Sequence, residues 1–171
     1  AKIIRSGAYI KLCQILYGIT PMITRETANE IQTNLYNGKG GASQLVGMGV
    51  NGSLTGKHAD VIITDDIINI KDRISKAERE HTKLIYMELQ NVKNRGGRII
   101  NTGTPWHKED AFSLMGDIEK YDCYSTGLMT DEQIMHLRKS MSPSLFSANY
   151  ELKHIADENA LFTNAQFTKD L

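Results

Sequence analysis

The chain has 171 residues, 40% of them hydrophobic, with 20 Lys+Arg against 20 Asp+Glu. A chain of this length buries about 70% of its unfolded surface, so one domain needs no disulfide or metal staple. The even charge excludes a global basic field for nucleic acid, so any such contact must be local. Cys13 and Cys123 lie far apart, without metal or redox spacing, and fit two ordinary thiols in a reducing compartment. No apolar run approaches ~18 residues, which excludes a helix spanning a membrane. No signal peptide is visible. The chain enters structured-looking sequence directly at Ala1, which reads as a fragment of something longer.

Residues 2–17 predict a helix. Ile10, Cys13 and Tyr17, with Ile3, Leu12 and Leu16 nearby, form a broad apolar stripe, and Gly18 supplies the stop. Ile19 to Thr24 contains Pro21 and reads as a connection. Two periods then compete. Ala28, Ile31 and Leu35 have helical spacing, while Ile31, Thr33 and Leu35 alternate and lead into Asn37-Gly38. Asn-Gly tolerates positive φ at both positions, so a hairpin is preferred, with strands near 30–36 and 42–49.

Gly52 to Lys57 is a near miss for a phosphate loop. That loop needs Gly-x-x-x-x-Gly-Lys-Ser/Thr after a strand, but here position 51 is Asn, position 58 is His, and a strand follows. Val61, Ile62 and Ile63 form that strand, an apolar β-branched run of the kind buried in a parallel sheet. Asp65 and Asp66 follow at once. In open α/β sheets the ligand sits beyond the carboxyl ends of the strands. One carboxylate there suits Mg²⁺, which takes few carboxylates plus phosphate oxygens, and the next suits a water that must be oriented or deprotonated. Lys57 and His58 precede the strand and lie away from the acids. Arg73 and Arg79 read as exposed helix charge, with a neighbouring subunit's nucleotide as the alternative.

Ser75-x-x-Glu78 is a capping box that opens a helix to about Asn94. Ala77, Leu84, Ile85, Leu89 and Val92 are expected on its buried side, and Gly96-Gly97 at its end. Arg98 to Thr102 is the next strand, ending in Thr102-Gly103-Thr104 and then Pro105-Trp106-His107. Small hydroxyl residues there suit a water or a phosphate beside the acids. A helix is expected over Glu109–Ile118 and a weak strand over Asp122–Thr126. Thr130-x-x-Gln133 caps a helix through Lys139, and Ser142-Pro143 opens another with Leu145, Phe146 and Tyr150. Residues 157–171 lose periodicity and read as a linker. The alternation of strands and helices predicts an α/β three-layer fold.

Three segments together resemble the large terminase subunit of tailed bacteriophages, the DNA-packaging motor. Gly52 to Asp60, followed by Val61-Ile62-Ile63-Thr64-Asp65-Asp66, is similar to that family's Gly-x-Leu/Ile-Thr-Gly segment and Walker B strand. Gly97 to His107 is similar to its coupling motif. Ser142 to Phe162 is similar to the join between ATPase and nuclease domains.

The resemblance implies a P-loop-NTPase-like, mostly parallel sheet with flanking helices, present as an incomplete fragment. Residues 1–156 would be part of the ATPase domain and 157–171 a linker towards a nuclease domain. It implies ATP and Mg²⁺ as cofactors, Asp65 as the magnesium ligand, and Asp66 as the water-activating acid. Aspartate at 66 is one methylene shorter than the family's usual Glu. Thr102, Gly103 and Thr104 would couple the γ-phosphate state to motion. Pro105 stands where members often carry Arg, so no role of that Arg transfers. The phosphate loop would lie upstream and the nuclease acids downstream. Strand 98–102 would then be an unsatisfied edge, and the 171 residues alone would hydrolyse little ATP. The implied partners are duplex DNA, the small terminase subunit and the portal, in an oligomeric ring in the bacterial host cytoplasm, with no membrane. The alternatives are a helicase-like nucleic-acid-dependent ATPase, a non-catalytic prophage remnant or interaction module, and, ranked lowest, a metal nuclease.

Overall fold

The computed structural model describes residues 2–38 and 42–153. The chain divides into two compact units, Ala1–His58 and Ala59–Leu171.

In the first unit, α1 spans Gly7–Tyr17. It starts later than the apolar stripe suggests because Ser6 caps it. The Ser6 hydroxyl accepts the Tyr9 N–H at 3.3 Å, and the Ser6 N–H closes a turn onto the Ile3 carbonyl. Gly18 ends the helix as expected, at φ +66°, with its N–H on the Gln14 carbonyl.

A three-stranded antiparallel sheet follows: β1 (Ile23–Glu26), β2 (Glu30–Thr33) and β3 (Leu45–Val46), in the order β1-β2-β3. β1 corrects the expected connection over 19–24. Thr24, Arg25 and Glu26 carry no apolar signal, and pairing with β2 makes them a strand. The hairpin between the 30s and 40s exists but is short, pairing Glu30 with Val46 and Ile31 with Leu45. Asn37-Gly38 is not its two-residue turn. The β2–β3 ladder goes no further than Ile31, and the N–H and hydroxyl of Thr33 go instead to the Gln44 side-chain oxygen at 3.1 and 2.8 Å.

The second unit is mixed α/β. β4 (Ala59–Asp65) and β5 (Lys93–Thr102) pair in parallel, with Asp65 opposite Thr102. Between them run α2 (Ile70–Ile74) and α3 (Lys76–Val92). Parallel neighbours require such a crossover. Asn69 and Asp72 form a full capping box on α2. At α3 the expected box is half made: the Ser75 hydroxyl accepts the Glu78 N–H, but the Ser75 N–H is committed to the Lys71 carbonyl. α3 ends at Val92, before the glycine pair. Gly97 lies within β5, where a side chain would meet the Asp60 carbonyl at 2.8 Å.

The buried face of α3 is Arg79, Thr82, Tyr86, Leu89 and Val92. Leu84 and Ala77 are exposed, contrary to expectation. Arg79 and Tyr86 take places on this face because fixed polar partners meet them there. Arg79 Nη1 donates to the carbonyls of Asp72 (2.9 Å) and Arg73 (3.3 Å) at the end of α2. Arg79 is therefore a buried strut, neither an exposed helix charge nor a group offered to a neighbour.

The Val61–Ile63 strand is only half covered. α3 packs on β5. By strand alternation Thr64 and Asn101 share one face of the pair, and Val61, Ile63 and Ile100 the other. Val61, Ile63 and Ile100 are 45%, 67% and 41% exposed. An unbroken apolar run predicts cover on both faces. Among the described residues, β4 and β5 form a sheet of two strands with one face open.

The expected helix over 109–118 is a single 3-10 turn, Ala111–Leu114. The expected strand over 122–126 is a turn, in which the Asp122 carboxylate accepts the N–H groups of Tyr124 and Ser125. α4 (Asp131–Ser140) and α5 (Pro143–Tyr150) start at Thr130 and Ser142, as their caps predict. Cys123, Ile134 and Phe146 form the core beneath them. Glu151 closes this corner, accepting from Ser147 Oγ at 2.7 Å, the Tyr124 hydroxyl at 3.2 Å and Arg138 at 3.3 Å.

The Ser147 hydrogen bond, followed by Lys153, Tyr124 and Arg138 and opposed by burial, holds the Glu151 carboxyl below its usual range. That stability is present above the unfolded carboxylate range and is lost as pH falls through the lowered folded value. Glu151→Gln is expected to cost about 1–2 kcal/mol at neutral pH and to flatten the acid limb of a urea-midpoint against pH curve. An unchanged acid limb would remove Glu151 from the linkage.

Among the described residues no helix is long and apolar enough to cross a membrane. The linker expected over 157–171 lies outside the described residues.

Candidate functional site

The site is the carboxyl end of the parallel pair. Asp65 and Thr102 are register partners, so the rigid ladder holds their side chains adjacent. Thr102 Oγ1 lies 3.1 Å from Asp65 Oδ1 and 3.1 Å from the Thr64 carbonyl, so its one proton is shared between them. Asp65 is exposed, and its second oxygen has no hydrogen bond among the described residues.

Asp66 extends the pairing by one bond, its N–H donating to the Thr102 carbonyl at 3.1 Å. The backbone then turns left-handed, at φ +48°. Asp tolerates this region better than most residues, at a cost of about 1–2 kcal/mol. The turn swings the Asp66 carboxylate against Gly103. A Cβ at 103 would lie 3.3 Å from Asp66 Oδ1, 3.6 Å from Asp66 Cα and 3.5 Å from the Phe112 ring. Gly103 thus makes room for Asp66. This role is positional, and it ties the acid strand to the threonine turn.

Of the sequence-expected residues, Asp65, Asp66, Thr102 and Gly103 come together. Thr104 follows them, half-buried, and its hydroxyl has no hydrogen bond among the described residues. A cleft of about 800 Å³ opens beside Thr102 and Gly103, with Lys108, Phe112, Lys120 and Tyr121 on its wall. Asp65 and Asp66 do not line it. Lys57 lies in the turn before β4, its N–H on the Leu54 carbonyl.

A polar chain runs behind the site. Thr64 Oγ1 donates to Asn101 Oδ1 at 2.8 Å, and Asn101 Nδ2 reaches the Tyr86 hydroxyl at 3.4 Å. It connects α3 to both strands one residue before the acids. Thr64 and Asn101 were legible as strand residues, but their contact needs the register.

Asp110 is the functional-loop residue that sequence reasoning missed. It is 1% exposed. Its Oδ2 accepts the N–H groups of Trp106 and His107 at 2.9 Å each, and its Oδ1 accepts that of Phe112 at 3.0 Å. One carboxylate therefore shapes the whole loop after Thr104. The signal was present as an Asp preceding a helical turn, a capping position. His107 Nδ1 accepts the Glu109 N–H at 3.0 Å, which leaves the proton on Nε2 in the neutral ring. Burial, then the Arg79 guanidinium, hold the His107 pKa below its usual range. Trp106 and His107 act here as loop-builders.

Mg²⁺ fits the donors at the strand ends, because it accepts one or two carboxylates and fills its octahedron with waters and phosphate oxygens. Asp65 offers one open carboxylate oxygen. Among the described residues no three His, Cys, Asp or Glu side chains group as a metal cage. Comparison of the chain with family models, with curated proteins and with solved structures finds no match.

Proposed function

We propose that this chain supplies the hydrolytic and coupling strands of an ATP-driven motor of the phage large-terminase type, which moves duplex DNA into a procapsid. The observation that carries this reading is the pairing of the Asp65-Asp66 strand with the Thr102-Gly103 strand, parallel and in register at their carboxyl ends. Phosphoryl transfer needs positioning and charge neutralisation more than covalent chemistry. In this reading Asp65 would hold Mg²⁺, which when bound would supply charge neutralisation at the phosphate. Asp66, whose carboxylate has no hydrogen bond among the described residues, orients or deprotonates the attacking water. Thr102, hydrogen-bonded to Asp65, and Gly103, packed on Asp66, make the coupling turn sensitive to what the acids hold; Thr104 continues that turn.

The finer fold reading belongs to the same proposal: a three-layer P-loop-NTPase-like sheet of which β4 and β5 are adjacent strands. So do ATP as cofactor, the small terminase subunit and portal as partners, a ring assembly, and the bacterial host cytoplasm as its place of action. A helicase-like ATPase shares the acid-ended strand and the threonine turn, and strand unwinding in place of duplex translocation would favour it.

The coding DNA flanking this segment tests the proposal. An in-frame Gly-x-x-x-x-Gly-Lys-Ser/Thr loop upstream, opening a helix after a strand, is the expected result. A stop codon directly before the Ala1 codon would leave no phosphate cradle and overturn the enzymatic reading.

A further inference from the structure

The uncovered face of the β4–β5 pair lies wholly within the second unit. Three register pairs stand on it: Val61 with Arg98, Ile63 with Ile100, and Asp65 with Thr102. All six residues are exposed, while Ile62, Thr64, Ile99 and Asn101, which alternate with them, are half-buried or buried. That alternation sets the six on one side of the pleat. Two of them are charged, and they stand at opposite ends. Arg98 has no ion pair among the described residues. Asp65 accepts from Thr102 Oγ1 and meets no cation there either. Ile63, 67% exposed, sits at the centre.

We propose that a second copy of this chain covers this face, in a two-fold pair that closes Arg98 of each copy onto Asp65 of the other. A stripe with a cation at one end, an apolar centre and an anion at the other complements itself after a half-turn. A two-fold axis perpendicular to the strands stacks Ile63 and Ile100 on their own counterparts. It sets Arg98 of one copy opposite Thr102 of the other, one strand spacing of ~4.8 Å from Asp65. Packed sheets lie about 10 Å apart, a gap that a long arginine spans to reach a carboxylate. An axis parallel to the strands would gather both Arg98 side chains at one end and both Asp65 at the other, which like charge opposes. The contact is isologous and closes at two copies, unlike the head-to-tail contact of a ring. Three apolar side chains per copy cover far less than the roughly 800 Å² per partner of a standard interface. The pair is therefore weak, with an expected dissociation constant of about 10⁻⁴ M. Pairing also bears on the site. Where Asp65 holds a metal ion, as the hydrolytic reading has it, guanidinium and metal compete for one carboxylate, and divalent metal favours the single copy.

The test is sedimentation equilibrium of the 171-residue chain from about 10 µM to about 1 mM, with a charge exchange across the contact. The unaltered chain is expected to show a monomer–dimer equilibrium. Arg98→Asp and Asp65→Arg are each expected to weaken it by at least about tenfold, because each leaves like charges facing across the two-fold axis. Mixed in equal amounts, the two variants are expected to form a mixed dimer at close to the original strength, since both contacts are again opposite in sign. Recovery on mixing also shows that neither variant fails through misfolding. Ile63→Glu is expected to abolish association, and circular dichroism verifies that it is folded.

A chain that stays monomeric throughout, or a variant mixture that fails to associate, would overturn the proposal. So would dimers that persist unchanged in Arg98→Asp and in Asp65→Arg, which would put the contact at the strand edges. Manganese held at Asp65 by a chain that never pairs defeats this proposal alone. Pairing that passes the charge exchange but ignores Mg²⁺ defeats the metal reading at Asp65 and leaves the two-fold pair standing.

Discussion

Asparagine at Asp66 is expected to lower ATP turnover by about 10²–10⁴-fold in the protein that joins this segment to a phosphate loop, with nucleotide binding retained. The substitution is nearly isosteric. It keeps the left-handed turn at φ +48°, which Asn tolerates as well as Asp, and it keeps the packing against Gly103. The lost group is the anionic acceptor that takes a proton from water. Asp65→Asn is expected to act differently, weakening the magnesium dependence of binding itself. Single-turnover hydrolysis alongside nucleotide binding separates the two effects. Wild-type turnover in Asp66→Asn would remove Asp66 from the chemistry.

Asp110→Ala is expected to destabilise the second unit by about 3 kcal/mol, among the largest single effects in the chain. Three backbone N–H groups, from Trp106, His107 and Phe112, lose their acceptor at once in a buried site. Each orphaned donor carries a desolvation cost of about 1–3 kcal/mol, and relaxation of the loop recovers part of the total. Asp117→Ala, on an exposed stretch of the same cleft, should stay within about 0.5 kcal/mol. Urea unfolding followed by Trp106 fluorescence measures both. Equal midpoints for the two variants would show that the loop holds without Asp110.

Legibility in the sequence followed the range of the interactions. Ser75, Thr130 and Ser142 cap helices through residues three positions away, so those starts could be read directly, whereas the Ser6 cap was hidden by an apolar stripe that reaches back to Ile3. The acids at the end of β4 were equally plain, because an apolar run and its punctuation are local. β1 was illegible, since its strand character comes from β2 and not from Thr24, Arg25 and Glu26. The buried face of α3 was misjudged for a related reason. Hydropathy ranks Leu84 above Arg79, but Arg79 has two carbonyls waiting at the end of α2 and Leu84 has no cover. At the site, Asp65 and Thr102 were each singled out. Their hydrogen bond, and the fit of Asp66 against Gly103, depend on a register that no local pattern encodes.

Manganese titration of the isotope-labelled chain, read by amide line broadening, is the most direct measurement of whether the strand-end acids form a metal site. Mn²⁺ substitutes for Mg²⁺ at oxygen donors and broadens nearby resonances. Broadening that begins at Asp65, Asp66, Thr102 and Gly103, and disappears in Asp65→Asn, is the predicted result. Broadening that begins elsewhere, or persists unchanged in Asp65→Asn, would contradict a metal site at the end of β4.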